Sequence, residues 1–452
     1  MKKTFSYKIF FFLSVFLIST IFASKSLNTT EESSKTTNIK DWNFMVYVAS
    51  NNNLHGYALP NLQQMQQVGS NKFINIVVQV DTFKKRETKR YFVEKGKSTL
   101  LSINNDIIGG TSGTGENLFN FVKNIVTKYP AKYQALILWN HGSGVKDPHI
   151  WGRLFSIKED ELFFLNPETK LFELNTDLLR GIAFNEIQRT YITNQELTQT
   201  LNRISKELLN GKKMDILGMD ACHMAMIEIA SQIKSAANFM IGSQEVVPGS
   251  GWDYSILLKP FASKSLSPRD FSKQIVDAYA SKYNKYYADL TMSAVDLKFQ
   301  DELEKNHYAI SQILLEFLKQ DNTAAIVHIL SNIRNDKTAT ISFMDKDYID
   351  LSHFYTNLLT RICNYYPISK ERENLAKNLK EALLRGINSI KDAVIRNSTG
   401  KKVKQAGGLS IYFPAGPTHT SYLNTIFVQN TKWHEFLANY SNIKSSLQNE
   451  TK

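Results

Sequence analysis

The chain has 452 residues, of which 42% are hydrophobic, with a formal net charge of +12. That apolar content supports a large core in more than one lobe. The lysines are spread out and no RNA- or DNA-binding motif accompanies them, so the charge reads as a solvated basic surface and no nucleic-acid partner is expected.

The N-terminus carries Lys2, Lys3 and Lys8 ahead of an apolar run over residues 9–23, and a polar stretch follows. This layout predicts a signal peptide over 1–23, cut after Ala23 or Ser26. The apolar run is too short for a stable membrane span, although an uncleaved anchor is the alternative. No cysteine lies there, which excludes a lipid-modified N-terminal cysteine. The protein is expected to be exported, periplasmic or secreted, with no stable span once the signal is removed. Residues 24–40, rich in Ser, Thr, Asn, Glu and Lys, read as a flexible lead-in. Only Cys222 and Cys363 are present, so this is no disulfide scaffold. A single Cys222–Cys363 bridge is the structural alternative for those residues.

A first buried strand is predicted over 44–49, followed by the loop Ser50-Asn51-Asn52-Asn53 and a helix over 57–68. A second strand falls at 74–81 and a strand or hairpin at 91–102. Leu118, Phe121, Val122, Ile125, Val126 and Tyr129 share one helical face, and Pro130 stops that helix. The apolar run Ala135-Leu136-Ile137-Leu138 then ends at Trp139-Asn140-His141-Gly142-Ser143-Gly144. This order implies an α/β sheet with helices on both faces. Residues 145–190 break the rhythm, and a loop of that length is usually functional or disordered. Thr193 to Glu196 fits a capping box, with Leu197, Leu201, Ile204 and Leu208 continuing a helix. Met214 to Gly218 reads as a buried strand that stops at Asp220-Ala221-Cys222-His223, and Met224, Ile227 and Ala230 suggest a helix straight after it. A strand over 239–243 leads into a Gly/Pro-rich loop over 244–254. Beyond it, helices are predicted at 271–283, around 310–317, at 351–363 and at 375–394, with strands at 291–297 and 408–413. A catalytic domain over 41–300 and a C-terminal α/β region over 301–452 are expected.

His141 and Cys222 both stand where a buried strand ends, which in an open α/β sheet is where sites gather. Two parallel strands would bring them to one edge. A thiol attacks only as thiolate, and a nearby imidazole or a helix N-terminus lowers its pKa. His141 is the better imidazole, because the side chain of His223 would leave the strand end in another direction. A satisfied loop histidine is the plain alternative. Gly142 has no β-carbon, so its N–H and that of Cys222 are candidates for an oxyanion hole, unless Gly142 and Gly144 merely turn the loop. Asp220 shares a strand face with Cys222 and is placed to select a cationic side chain; a helix cap or a salt bridge is the alternative.

Leu138-Trp139-Asn140-His141-Gly142-Ser143-Gly144 together with Gly218-Met219-Asp220-Ala221-Cys222 resembles the clostripain family of cysteine peptidases. That family belongs to the caspase-like group, with legumain, gingipain and separase. The similarity spans about residues 43–415. It implies a caspase-like α/β/α sandwich with a mostly parallel central sheet, and cleavage of protein or peptide substrates after Arg or Lys through a thioester. By motif, Cys222 matches the nucleophile, His141 the general acid/base and Asp220 the acid that reads the basic P1 side chain. Members are often zymogens cut after the histidine, so 145–190 is the expected activation segment. Arg180, before Gly181 and the apolar Ile182-Ala183-Phe184, is the expected self-cleavage point, with Lys158 second. Two departures stand out: an Asn run at 51–53 where relatives commonly carry an Asp, and Val145 where an aromatic is common. Some relatives need calcium. Asp81, Asp147, Glu245 and Asp253 offer oxygen ligands, but their spacing assigns no site, and no cofactor is required. The competing reading is a caspase-fold protein without catalysis that binds peptides or a cell-surface partner; its site should have lost at least one of these residues. A serine hydrolase lacks its G-x-S-x-G elbow, and a zinc enzyme its H-E-x-x-H or paired C-x-x-C.

Overall fold

The computed structural model describes residues 39–85, 87–104, 112–146, 163–165, 172–174, 182–321, 323–335, 340–362 and 370–450. The expected signal peptide, Lys158, Arg180 and Cys363 lie outside these residues. The first half runs β1 (Lys40–Val48), α1 (His55–Gln66), β2 (Ile74–Asp81), β3 (Thr88–Glu94), β4 (Lys97–Asn104), α2 (Gly115–Lys128) and β5 (Ala131–Trp139). Short strands follow: β6 (Phe163–Leu165), β7 (Phe172–Leu174), β8 (Ile182–Asn185) and β9 (Thr190–Ile192). Then come α3 (Asn194–Leu208), β10 (Met214–Asp220), α4 (Ile227–Ile233), β11 (Ala237–Gly242), α5 (Tyr254–Leu258), α6 (Pro268–Tyr283) and β12 (Thr291–Asp296). The remainder is α7 (Gln300–Leu318), α8 (Thr323–Asn335), β13 (Tyr348–Asp350), α9 (Leu351–Ile362), α10 (Lys370–Ala393), β14 (Val394–Thr399), β15 (Ser410–Tyr412), α11 (Ile426–Asn430) and α12 (Trp433–Glu450).

Nine strands form one sheet in the order β14-β12-β11-β10-β5-β1-β2-β3-β4. The five central strands, β11 to β2 in that order, are parallel. Both edges are antiparallel, with β2-β3-β4 on one side and β11-β12-β14 on the other. The central strands are apolar at nearly every position because both of their faces are covered. Tyr47, Leu138 and Met219 enter the core beneath α2, α3 and α4, whereas Val46, Ile137 and Ile216 enter the opposite core beneath α1, α5 and α6. This is the expected α/β/α sandwich, its parallel part confined to the centre.

The helix ends follow local chemistry. Thr114 caps α2 by accepting from Asn117 N–H, and Thr193 caps α3 by accepting from Glu196 N–H. The Glu196 carboxylate turns outward to Gly115 N–H at 2.7 Å, so α3 also serves the first turn of α2. Among the described residues no helix is long and apolar enough to cross a membrane.

Candidate active site

Strands β1, β5 and β10 are consecutive in the sheet and parallel, with Val48 opposite Trp139 and Trp139 opposite Asp220. Their carboxyl ends therefore open side by side. The chain leaves β1 for β2 on one side and reaches β5 on the other, so the crevice lies at a switch point of the strand order. A cleft sits there, lined by Leu54, His141, Asp220, Cys222, Val247 and Gly251 among others. Strand pairing thus brings His141, Asp220 and Cys222 to one cleft.

His141 is buried, and its Nε2 lies 2.7 Å from Asn53 Oδ1 in the loop that follows β1. An amide oxygen only accepts, so Nε2 carries the proton and Nδ1 is the proton-accepting nitrogen of the neutral ring. Burial holds the imidazole well below its usual 6.5. Asn140 fixes the turn before it. Its Nδ2 donates to Ala49 O and Phe184 O, and its Oδ1 accepts from Phe184 N–H at 2.8 Å. Strand β8, the first described segment after the expected cleavage point, is thereby tied to the end of β5, and a bridge pairs Gly142 with Ile182.

Cys222 is partly exposed in the cleft. Val247 N–H donates to its Sγ at 3.2 Å. Burial still dominates and pushes the thiol up to about 12, with the charges of Glu245 and Asp220 adding to the rise. The site shown is therefore a neutral thiol beside a neutral imidazole. The helix expected straight after Cys222 begins only at Ile227 and has seven residues. Residues 221–226 instead form a turn that packs on β15, where Ser410 N–H donates to Ala225 O. Among the described residues no helix N-terminus donates to the sulfur, and Val247 N–H is the local donor. His223 follows with φ +58, its Nδ1 3.0 Å from Gln244 O and its ring on Tyr348. It faces away from the cleft, as anticipated.

Gly142 packs so tightly that a Cβ there would stand 2.6 Å from Cys222 O and 2.9 Å from Ala221 Cβ. Gly144 has φ +66 and turns the loop. Val145 is fully buried in the core. Asp220 is buried and is neither a helix cap nor half of an ion pair. Its Oδ2 accepts from Trp252 N–H and Tyr254 OH, both at 2.9 Å. Its Oδ1 has no hydrogen-bond partner. Burial raises the carboxyl from 3.8 to about 6.

The acids considered for calcium do not gather. Asp81 is taken up by Ser112 and Thr88, Glu245 by the N–H groups of Val246 and Met344, and Asp253 by the first turn of α5. Asp147 lies outside the described residues, and among the described residues no three His, Cys, Asp or Glu form a metal-binding group. No step is assigned to calcium.

A family model described as the clostripain family matches residues 46–154 and 171–445. The chain belongs to the clostripain family. It is a cysteine peptidase with the fold of solved C11 proteases. One is an inactive zymogen C11 protease from Parabacteroides distasonis, 16% identical, with 87% of this chain and 98% of that one covered and a TM-score of 0.55. Another is the secreted C11 cysteine protease iotapain of Bacteroides thetaiotaomicron, 15% identical, with 88% and 99% covered and a TM-score of 0.58. The secreted Bacteroides enzyme in complex with an irreversible peptide inhibitor gives a TM-score of 0.55 at 15% identity, with 88% and 99% covered. A search of curated proteins gives no match.

Sequence reasoning about this clostripain-family chain missed Asn53, Val247 and the pair Trp252 and Tyr254. The only signal for Asn53 was its place in an Asn run at a strand end. Val247 and Trp252 act through backbone N–H groups, which no side-chain pattern marks.

Proposed function

We propose that this chain is an exported endopeptidase that cleaves after Lys or Arg, with Cys222 as nucleophile, His141 as general acid/base and Asp220 as reader of the P1 side chain. One observation carries the reading: the three side chains line a single cleft, and the buried Asp220 keeps one oxygen without a partner. Such a carboxylate favours a cation.

In this mechanism His141 takes the Sγ proton as Cys222 attacks the scissile carbonyl. Resting thiol and imidazole are both neutral, so the proton moves during attack. The N–H groups of Gly142 and Cys222 hold the oxyanion. His141 returns the proton to the leaving amine, and water then hydrolyses the thioester. Asn53 holds the ring tautomer throughout. Activation follows a cut within 145–190, with Arg180 preferred. Strand β8, tied to Asn140 and Asn52, would keep the new end beside the cleft. Export rests on the N-terminal layout alone.

The test uses the full chain on paired peptides with P1 Arg, Lys, Asp or Asn, beside Cys222→Ala. Basic cleavage that the variant lacks supports the reading. Cleavage after Asp or Asn removes Asp220 from its role. N-terminal sequencing of the processed protein places the cut, and active enzyme intact across 145–190 sinks self-cleavage.

A further inference from the structure

The two oxygens of Asp220 differ, and the difference bears on which base enters at P1. Oδ2 accepts two hydrogen bonds, from Trp252 N–H and Tyr254 OH, which occupy both of its lone pairs. Gly251 lies against the same oxygen, since a Cβ there would stand 2.6 Å from it, and its φ of +59 suits glycine. Oδ1 is buried and without a partner. Lys282, the cation whose charge acts on Asp220, donates to the carbonyls of Gly251 at 2.9 Å, Ser250 at 3.4 Å and Trp252 at 3.5 Å. It braces the loop and donates nothing to Oδ1.

Resting on Asp220 as the reader of P1, we propose that this cleft takes lysine at P1 in preference to arginine. A guanidinium gains most from a carboxylate through a planar fork that engages both oxygens. Here the second prong meets an oxygen already holding two donors. An ammonium is a compact charge and needs only Oδ1. A P1 arginine keeps a single prong and buries the rest of its fork without acceptors from Asp220.

The experiment compares kcat/KM of the full chain on peptides that differ only in P1 Lys or Arg, then repeats the pair with Tyr254→Phe. Lysine should lead by about tenfold, roughly the worth of one charged hydrogen bond. Tyr254→Phe keeps the ring and removes one donor from Oδ2, so the lead should narrow. Equal rates or an arginine lead, with basic cleavage intact, overturn this inference and leave the P1 reading standing. No cleavage after either residue overturns both. A lysine lead that Tyr254→Phe leaves unchanged overturns the role of Oδ2 and the inference with it. The wild-type ratio tests the proposal even if the variant fails to fold.

Discussion

At the scale of single residues, the environment of Asp220 sets a pH limit on the proposed reading of P1. Burial lifts its carboxyl to about 6. In the proposed role it is charged above that pH and holds a cation; below it, the proton removes the charge. For a P1 Lys substrate, kcat/KM should therefore fall by about tenfold per pH unit below 6. Burial also holds the His141 imidazole well below 6.5, so an Asp220 variant is what assigns the limb. Asp220→Asn should show low activity and no such limb; a limb that survives would assign it elsewhere. Asn53 is the second residue with a stated role. Asn53→Ala removes the acceptor that fixes the His141 tautomer. It should lower kcat by about tenfold while KM stays near wild type. Asn53→Asp keeps the acceptor and should retain more of kcat than alanine does. A purely structural role for Asn53 would lower thermal stability and leave kcat per folded molecule unchanged.

At the scale of elements, the site depends on how closely two strand-end loops approach. Gly142→Ala would drive a Cβ into Cys222 O and Ala221. The carbonyl and the side chain belong to the turn that carries the proposed nucleophile, so both activity and stability should fall, the latter by about 1–3 kcal/mol. Chemical unfolding and kinetics on the same preparation read both, and an active, equally stable variant would refute the contact. The two strand ends were legible because β5 and β10 are apolar throughout and stop abruptly at polar residues. The turn over 221–226 was misread for a related reason. Met224, Ile227 and Ala230 have helical spacing, but Met226 is bridged to Ser410 of β15, from almost two hundred residues away, and Met224 is buried against Gly142 and Gly242. Asn53 was illegible because its role exists only once β1 lies next to β5, and strand order is not written in any local pattern. Strand β14 was hidden too. It reads Val-Ile-Arg-Asn-Ser-Thr, has no fully buried residue at the sheet edge, and follows α10 without a break.

At the scale of the whole molecule, the core holds an unusual set of carboxyls, and they give stability a pH dependence opposite to that of a surface-charged protein. Burial pushes Asp81, Glu228 and Glu245 up to about 7, and Asp220, Asp215 and Asp350 to about 6. Their ordinary values are 3.8 for Asp and 4.5 for Glu. The folded chain therefore binds protons at a pH where the unfolded chain has released them, and stability rises as pH falls from 8. Histidines oppose this below about 6.5. Burial depresses His141, His353 and His434 and takes His307 to about 3, so the unfolded chain gains protons there first. The carboxyls act alone from pH 8 to about 6.5, and the two sets offset each other below it. Thermal unfolding of Cys222→Ala, which removes the proposed nucleophile, should give a Tm that rises over the first interval and then flattens. Glu228 isolates one contribution, since its Oε1 accepts from Tyr412 N–H and Tyr422 OH while its Oε2 is buried without a partner. Charged at pH 8, it costs on the order of 3 kcal/mol. Glu228→Gln should raise Tm at pH 8 more than at pH 6, and a Tm highest at pH 8 in the parent would show that these carboxyls do not govern stability.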